Sequence, residues 1–248
     1  MMDWIVAFFM AWGMFWIVPC PLKRWDSDGY ERMLLCFPWI GCLAGALWSL
    51  AAVGRDAWLP GMFGAVIMAV LPHLLTGFIH VDGFMDCADA VCSRREREER
   101  LRILKDPHVG TFAVVFLVIL LLTEFALFAE NTLAGREWGL LFVMAVPRAV
   151  TALCVLSMKP LEHSGYARMF GAGVKTGHRF AAGAELLLLV VLPILLWQGR
   201  GLFALAGCAG AFAAVLALRR NLGGMSGDVS GAGVVVGELI GLMALVWM

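Results

Sequence analysis

Seven long stretches of this chain carry almost no charge, and nothing constrains its fold more. They fall at 33–53, 59–79, 110–129, 138–158, 184–197, 201–218 and 232–248. At 1.5 Å per residue, about twenty apolar residues cross the roughly 30 Å hydrocarbon core of a bilayer, where every backbone N–H and C=O must find its partner within the helix. With 61% hydrophobic and 15% charged residues and a mean hydropathy of +0.84, the 248 residues lie far outside the range of soluble domains. The expected fold is all-α: one integral membrane domain over 1–248, a polytopic bundle of about seven spans. A further apolar run at 4–18 is short and ends at Pro19-Cys20-Pro21. It reads either as a tight crossing or as a Trp- and Phe-rich interfacial helix. A cleaved leader is not expected, because Asp3 stands where a basic segment belongs and no A-x-A site follows.

Lysine and arginine sort sharply between the two sets of loops. Loops 19–32, 80–109, 159–183 and 219–231 carry fifteen of the nineteen, the opposite loops carry Arg55, Arg136 and Arg200, and Arg148 lies inside a span. The positive-inside rule places the four basic loops in the cytoplasm, in a multi-pass protein of the cell (inner) membrane. The same loops hold most of the polar residues that serve no obvious structural purpose, so the active site is expected there. A pore or carrier would instead place polar groups near the midplane. The in-span ionisable groups are few: His73, Glu124 and Arg148, with Glu185 and Glu238 nearer span ends. A structural salt bridge from Glu124 to Arg148 and a functional role for either are both open.

The stretch H-V-D-G-F-M-D-C-A-D-A, from His80 to Ala90, concentrates the acids. On a helix, Asp82, Asp86 and Asp89 fall at roughly 0°, 40° and 340°, so three carboxylates share one narrow face. Stacked like charges repel unless something positive sits among them. One reading is a solvated helix end whose acids face water. The neighbouring span and the absence of lysine or arginine among the acids favour a hard divalent cation, and Mg²⁺ typically takes one or two carboxylates, waters and substrate phosphates. Asp82 and Asp89 are about 10 Å apart along the axis, which suits two metals, or one metal and a base, better than a single shared ion.

The remaining loops offer weaker signals. Lys23-Arg24-Trp25 reads as headgroup anchoring or as a phosphate contact. Gly41, Gly45 and Ala46 give the small-residue spacing of close helix packing. The alternating charges of 94–105 read as a solvated helix laced with ion pairs. Lys105, Asp106 and His108 sit at the start of the next span, a position that favours anions. Loop 159–183 is rich in glycine but has Val174 where a P-loop requires glycine before Lys175. It remains a candidate flap carrying Arg168, Lys175 and Arg179. Asp228, alone among the glycines of G-G-M-S-G-D, reads either as a plain turn or as a group completing the metal site or orienting a nucleophile. Seven cysteines without a C-x-x-C pair read as small apolar fillers.

H-V-D-G-F-M-D-C-A-D-A followed by K-D-P-H-V-G-T resembles the signature of the cobalamin synthase family, the adenosylcobinamide-GDP ribazoletransferases. The basic turn at Lys23, Phe37-Pro38 with Gly41, Pro147-Arg148-Ala149, Ala167-Arg168 with Gly171, and G-G-M-S-G-D at 223–228 agree in order. The chain departs from the pattern at Ala90 for glycine, Ser226 for threonine and Glu124 for lysine. The resemblance implies a Mg²⁺-dependent membrane enzyme that joins adenosylcobinamide-GDP to α-ribazole, or its 5′-phosphate, releasing GMP. It implies Asp82, Asp86 and Asp89 as metal ligands, with Asp228 or one of these as base. Lys105, Arg148, Arg168 and Lys23 become substrate contacts, and His80 and Asp106 orienting groups. No nucleic-acid partner is expected; lipid surrounds the bundle, and a homo-oligomer stays open. A CDP-alcohol phosphotransferase is the competing enzyme, but no arginine follows Asp82-Gly83 at that family's offset. A transporter is the competing non-enzyme.

Overall fold

The computed structural model describes residues 2–59, 61–130, 133, 135–162, 164, 165, 169 and 173–247, and among them every regular element is helical. The helices are α1 (Met2–Phe15), α2 (Tyr30–Trp58), α3 (Gly61–Leu75), α4 (Ile79–Cys92), α5 (Arg97–Ile103), α6 (Thr111–Ala129), α7 (Gly139–Ser157), α8 (Thr176–Trp197), α9 (Phe203–Leu222) and α10 (Gly227–Trp247). Short 3₁₀ turns at Ser27–Gly29 and Gln198–Leu202 complete the list.

Among the described residues, five helical stretches are long and apolar enough to cross a membrane, and a sixth is added if α3 and α4 form one broken span. One of the five, Thr176–Leu222, is 47 residues long. As a single helix it would reach roughly 70 Å, more than twice a bilayer core. Gln198, at φ 52, breaks it into α8 and α9, which accounts for two crossings. The polytopic all-α bundle expected from the apolar runs is the architecture observed. The N-terminal run folds as α1, whose 14 residues reach roughly 21 Å; its Val6, Ala7, Met10 and Ala11 are buried, and Phe15 packs on Phe37 of α2 at 4.2 Å.

Helix α7 is buried along almost its whole length, with α2, α8, α9 and α10 around it. The outer helices invert the soluble pattern: α6 exposes Phe112, Val115, Ile119 and Leu122, and α8 exposes Leu187, Leu188, Leu195 and Leu196, as lipid-facing surfaces do. The spacing of Gly41 and Gly45 serves the packing its pattern suggests. A Cβ on Gly45 would lie 2.6 Å from Leu141 Cα, and one on Gly41 2.9 Å from the Met144 carbonyl oxygen, so α2 and α7 meet backbone to backbone. Four of the in-span ionisable groups pair off: His73 with Glu124 at 2.8 Å, and Arg148 with Glu238. The suggested Glu124–Arg148 bridge therefore does not form. Arg148 takes Glu238 from the packed helix α10, and Glu124 takes His73 from α3.

The span expected at 59–79 ends earlier than its apolarity implies. Leu75 closes α3, Gly77 (φ 62) donates to Leu74, and Phe78 (φ 60) donates to His73, the paired bonds of a Schellman stop. Two successive left-handed residues turn the chain by 92° into α4. Residues 80–92, expected within a loop, are thus a helix packed against α10 and α6.

Candidate active site

α4 is set in place by its small and apolar side. Val81, Gly83, Cys87, Ala88 and Ala90 are buried, which leaves Asp82 exposed and Asp86 and Asp89 half-buried on the other side. Gly83 faces the backbone of Asp228: a Cβ there would sit 2.8 Å from Asp228 Cα. That contact brings the first turn of α10 onto the acidic face. Asp82, Asp89 and Asp228 all lie close enough to act electrostatically on Asp86, and each of these charges is negative. Asp82 and Asp228 also act on one another. The cluster is made of hard oxygen donors, and among the described residues no cation is among the charges acting on Asp86 and Asp228, which suits a bound divalent ion. Among the described residues, however, no three His, Cys, Asp or Glu side chains converge tightly enough to enclose one. The 1.5 Å rise per residue explains this, since it strings the α4 acids along the axis. Two carboxylates with water and substrate phosphate match what Mg²⁺ usually takes.

The turn that presents Asp228 is braced from several sides. Ser226 caps α10: its Oγ accepts from the Val229 N–H at 3.3 Å and donates to Asp228 Oδ2 at 3.3 Å. Met225 pairs with the strand-like segment after α7, donating to Lys159 at 3.0 Å and accepting from Leu161 at 2.7 Å. From α5, Arg97 donates to the Leu222 carbonyl at 3.1 Å and Arg100 to Asn221 Oδ1 at 2.8 Å. The sequence reading of 94–105 as a solvated helix missed these clamps. Alternating charge alone gives no sign of which arginine reaches a distant carbonyl.

Asp89 is engaged differently from its two neighbours. Its Oδ2 accepts from Gly110 N–H at 2.7 Å and its Oδ1 from Ala113 N–H at 3.0 Å. A carboxylate of α4 thereby caps α6, whose own N-cap residue, Gly110, has no side chain to do so. A Cβ at Gly110 would fall 2.5 Å from Asp89 Oδ1, so the glycine is required. Asp89→Ala is expected to lower stability by about 1–2 kcal/mol and, if the activity depends on Mg²⁺, to leave that dependence unchanged. Thermal unfolding and a Mg²⁺ titration check this; an unmoved midpoint with an altered metal requirement would assign Asp89 to the ion.

The other expected site residues are scattered. Asp106 is exposed and tied to His108, whose backbone N–H at 3.0 Å and ring at 2.7 Å hold its carboxyl below the usual carboxylate range. Lys105 beside it is exposed. His80 lies about 160° around α4 from Asp82. It is buried against Phe15 and Phe37, with Nε2 unpartnered, so it is not brought to the acidic face. Arg148 is 1% exposed, bonded to Glu238 and the Met144 carbonyl, with its guanidinium over the Phe37 ring. That is an interior ion pair, not an open anion contact. Arg168 lies outside the described residues. Asp82 lines a cleft of about 450 Å³ with Met14, Trp16, Ile17 and the α3–α4 turn. Lys23 lines the cleft beside it.

Fold and site together define a helical membrane protein with an acidic site assembled where two distant segments meet. A family model described as cobalamin-5-phosphate synthase matches residues 7–246. The chain belongs to the cobalamin-5-phosphate synthase family. It is 35% identical to an adenosylcobinamide-GDP ribazoletransferase of Clostridium perfringens strain 13, over 95% of both chains. Proteins of the same name from Citrobacter koseri and Escherichia coli are 33% and 32% identical, over 92% of this chain and 94% of theirs. No solved structure matches.

Proposed function

We propose that this protein joins adenosylcobinamide-GDP to α-ribazole 5′-phosphate, or to α-ribazole, with release of GMP, as a late step in making cobalamin. The observation that carries this reading is the meeting of Asp228 with Asp82 and Asp86 across Gly83, in a chain similar to ribazoletransferases over nearly its whole length.

Mg²⁺ is the proposed ion; Asp86 with one of Asp82 and Asp228 would hold it, water and substrate phosphate completing the shell, and bound there it would neutralise charge on the diphosphate. A ribose hydroxyl of the acceptor attacks the phosphorus next to the cobinamide. The bond from that phosphorus to the oxygen shared with the GMP phosphate breaks, and GMP leaves with the electron pair. The hydroxyl proton passes to a carboxylate, Asp228 or Asp82, and from there to water. Asp82 is exposed and able to exchange that proton. Gly83 and the braced 222–226 turn hold the two acids in register, so that the hydroxyl and the leaving group are positioned in line. Lys105 and Arg168 are proposed diphosphate contacts. His80 and Arg148 act from within the bundle by fixing α4 and α7.

The acidic end is proposed to face the cytoplasm of the cell (inner) membrane, a reading supported by the excess of lysine and arginine in its loops. A cysteine introduced near Glu98 is then labelled only from inside and one near Arg136 only from outside; the reverse pattern would overturn the orientation. The activity itself is tested by incubating purified protein, Mg²⁺, adenosylcobinamide-GDP and α-ribazole 5′-phosphate and following GMP. No GMP above a protein-free control would refute the reading.

A further inference from the structure

A second cleft, of about 490 Å³, lies between α1 and the segment that follows it, lined among others by Phe9, Met10, Lys23, Arg24 and Trp25. It adjoins the Asp82 cleft, because Trp16 and Ile17 line both. The segment is tied back rather than loose: Trp12 Nε1 donates to the Val18 carbonyl at 2.8 Å, and Cys20 Sγ to those of Phe9 and Leu22. Trp25 is fixed by its bond to the Tyr30 hydroxyl at 3.1 Å and is 54% exposed. Lys23 and Arg24 are exposed, and among the described residues neither is ion-paired. Trp16 Nε1 is buried with no acceptor. The cleft thus combines fixed indoles with two unneutralised cations and a spare N–H donor, next to the acids but not among them. Its volume falls in the lower half of the range of small-molecule sites, about 300–1,000 Å³.

We infer that this cleft seats the acceptor nucleotide, with Lys23 and Arg24 on its 5′-phosphate and its flat base against the indoles. The inference rests on the proposed transfer. The family's description names a product that carries a 5-phosphate, so that phosphate enters with the acceptor and passes through unreacted. The attacking hydroxyl is then another ribose hydroxyl, and it must reach the carboxylates. A dianionic phosphate must not: Asp82, Asp86 and Asp228 would repel it, and the metal there is needed by the diphosphate of the other substrate. The acceptor therefore has to lie with its hydroxyl at Asp82 and its phosphate at a cationic point beyond, and Lys23 and Arg24 occupy such a point. Stacking on Trp25 and Trp16 suits an aromatic base of any sequence-tolerant kind.

The test compares α-ribazole with α-ribazole 5′-phosphate as acceptors, in the intact protein and in Lys23→Ala/Arg24→Ala. The intact protein is expected to show a KM at least about tenfold lower for the phosphorylated acceptor, the worth of one charge-assisted contact. In the double variant the two KM values converge, while KM for adenosylcobinamide-GDP holds. A gap that survives the double substitution overturns the inference. So does a rise in the donor's KM instead, or an equal loss with both acceptors that anionic lipid restores, which would make the pair a headgroup anchor. Calorimetric titration with α-ribazole 5′-phosphate gives a readout free of turnover. Binding that is lost in the variant upholds the cleft even where no GMP is formed, and no binding to the intact protein sinks it.

Discussion

Asp86→Asn leaves the protein folded and inserted but lowers turnover by at least about a thousandfold, the scale on which metal-dependent charge stabilisation acts. Asparagine preserves the shape of the side chain and removes one of the charges in the cluster. Among the described residues the charges acting on Asp86 are those of Asp82, Asp89 and Asp228, all negative. Purely as architecture, the variant should therefore be at least as stable as the natural protein in the absence of metal. Activity and stability are predicted to move in opposite directions, which separates a working carboxylate from a structural one. Chelation by EDTA should reproduce the loss in the unaltered protein, reversed by Mg²⁺. Undiminished activity in EDTA, or a variant with normal turnover, would remove the ion from the mechanism.

The second large effect is expected at Asp228. Asp228→Asn should cost about a hundredfold or more in kcat, with little change in thermal midpoint. Its backbone fixes the contact with Gly83, and among the described residues its carboxylate makes one protein hydrogen bond, from Ser226. Asparagine can accept that bond as well. The carboxylate's charge is therefore spare to the fold, in contrast with Asp89, whose two oxygens are both committed to backbone N–H groups. A well-folded variant with near-normal kcat would reduce Asp228 to a connector.

Much of the architecture was readable before any coordinates because the bilayer leaves few choices. An apolar run must become a helix, and the helix ends fall within a few residues of the runs for α6, α7 and α9. The Gly41 and Gly45 spacing announced a close helix contact, though not that α7 makes it, for a similar reason: only a missing side chain lets two backbones approach so closely. The candidate site was half legible. Three acids at helical spacing were visible along the chain, but their meeting with Asp228 depends on packing between segments far apart in sequence. The same limit hid Glu238 as the partner of Arg148, and Asp89 as the cap of α6. The right-angled turn at Gly77 and Phe78 escaped for a different reason. Hydropathy runs smoothly through it, and only the backbone angles reveal the stop.

The contact between Gly83 and the first turn of α10 also has a consequence in time. α4 emerges from the ribosome early, while Asp228 belongs to α10, far later in the chain. Until that helix has been synthesised and inserted, the earlier segments can sit in the membrane with their topology complete and their acids unaccompanied. If Asp228 is a working carboxylate, a chain interrupted before α10 is expected to enter the bilayer and yet release no GMP, a silent passenger in place of a partly working enzyme.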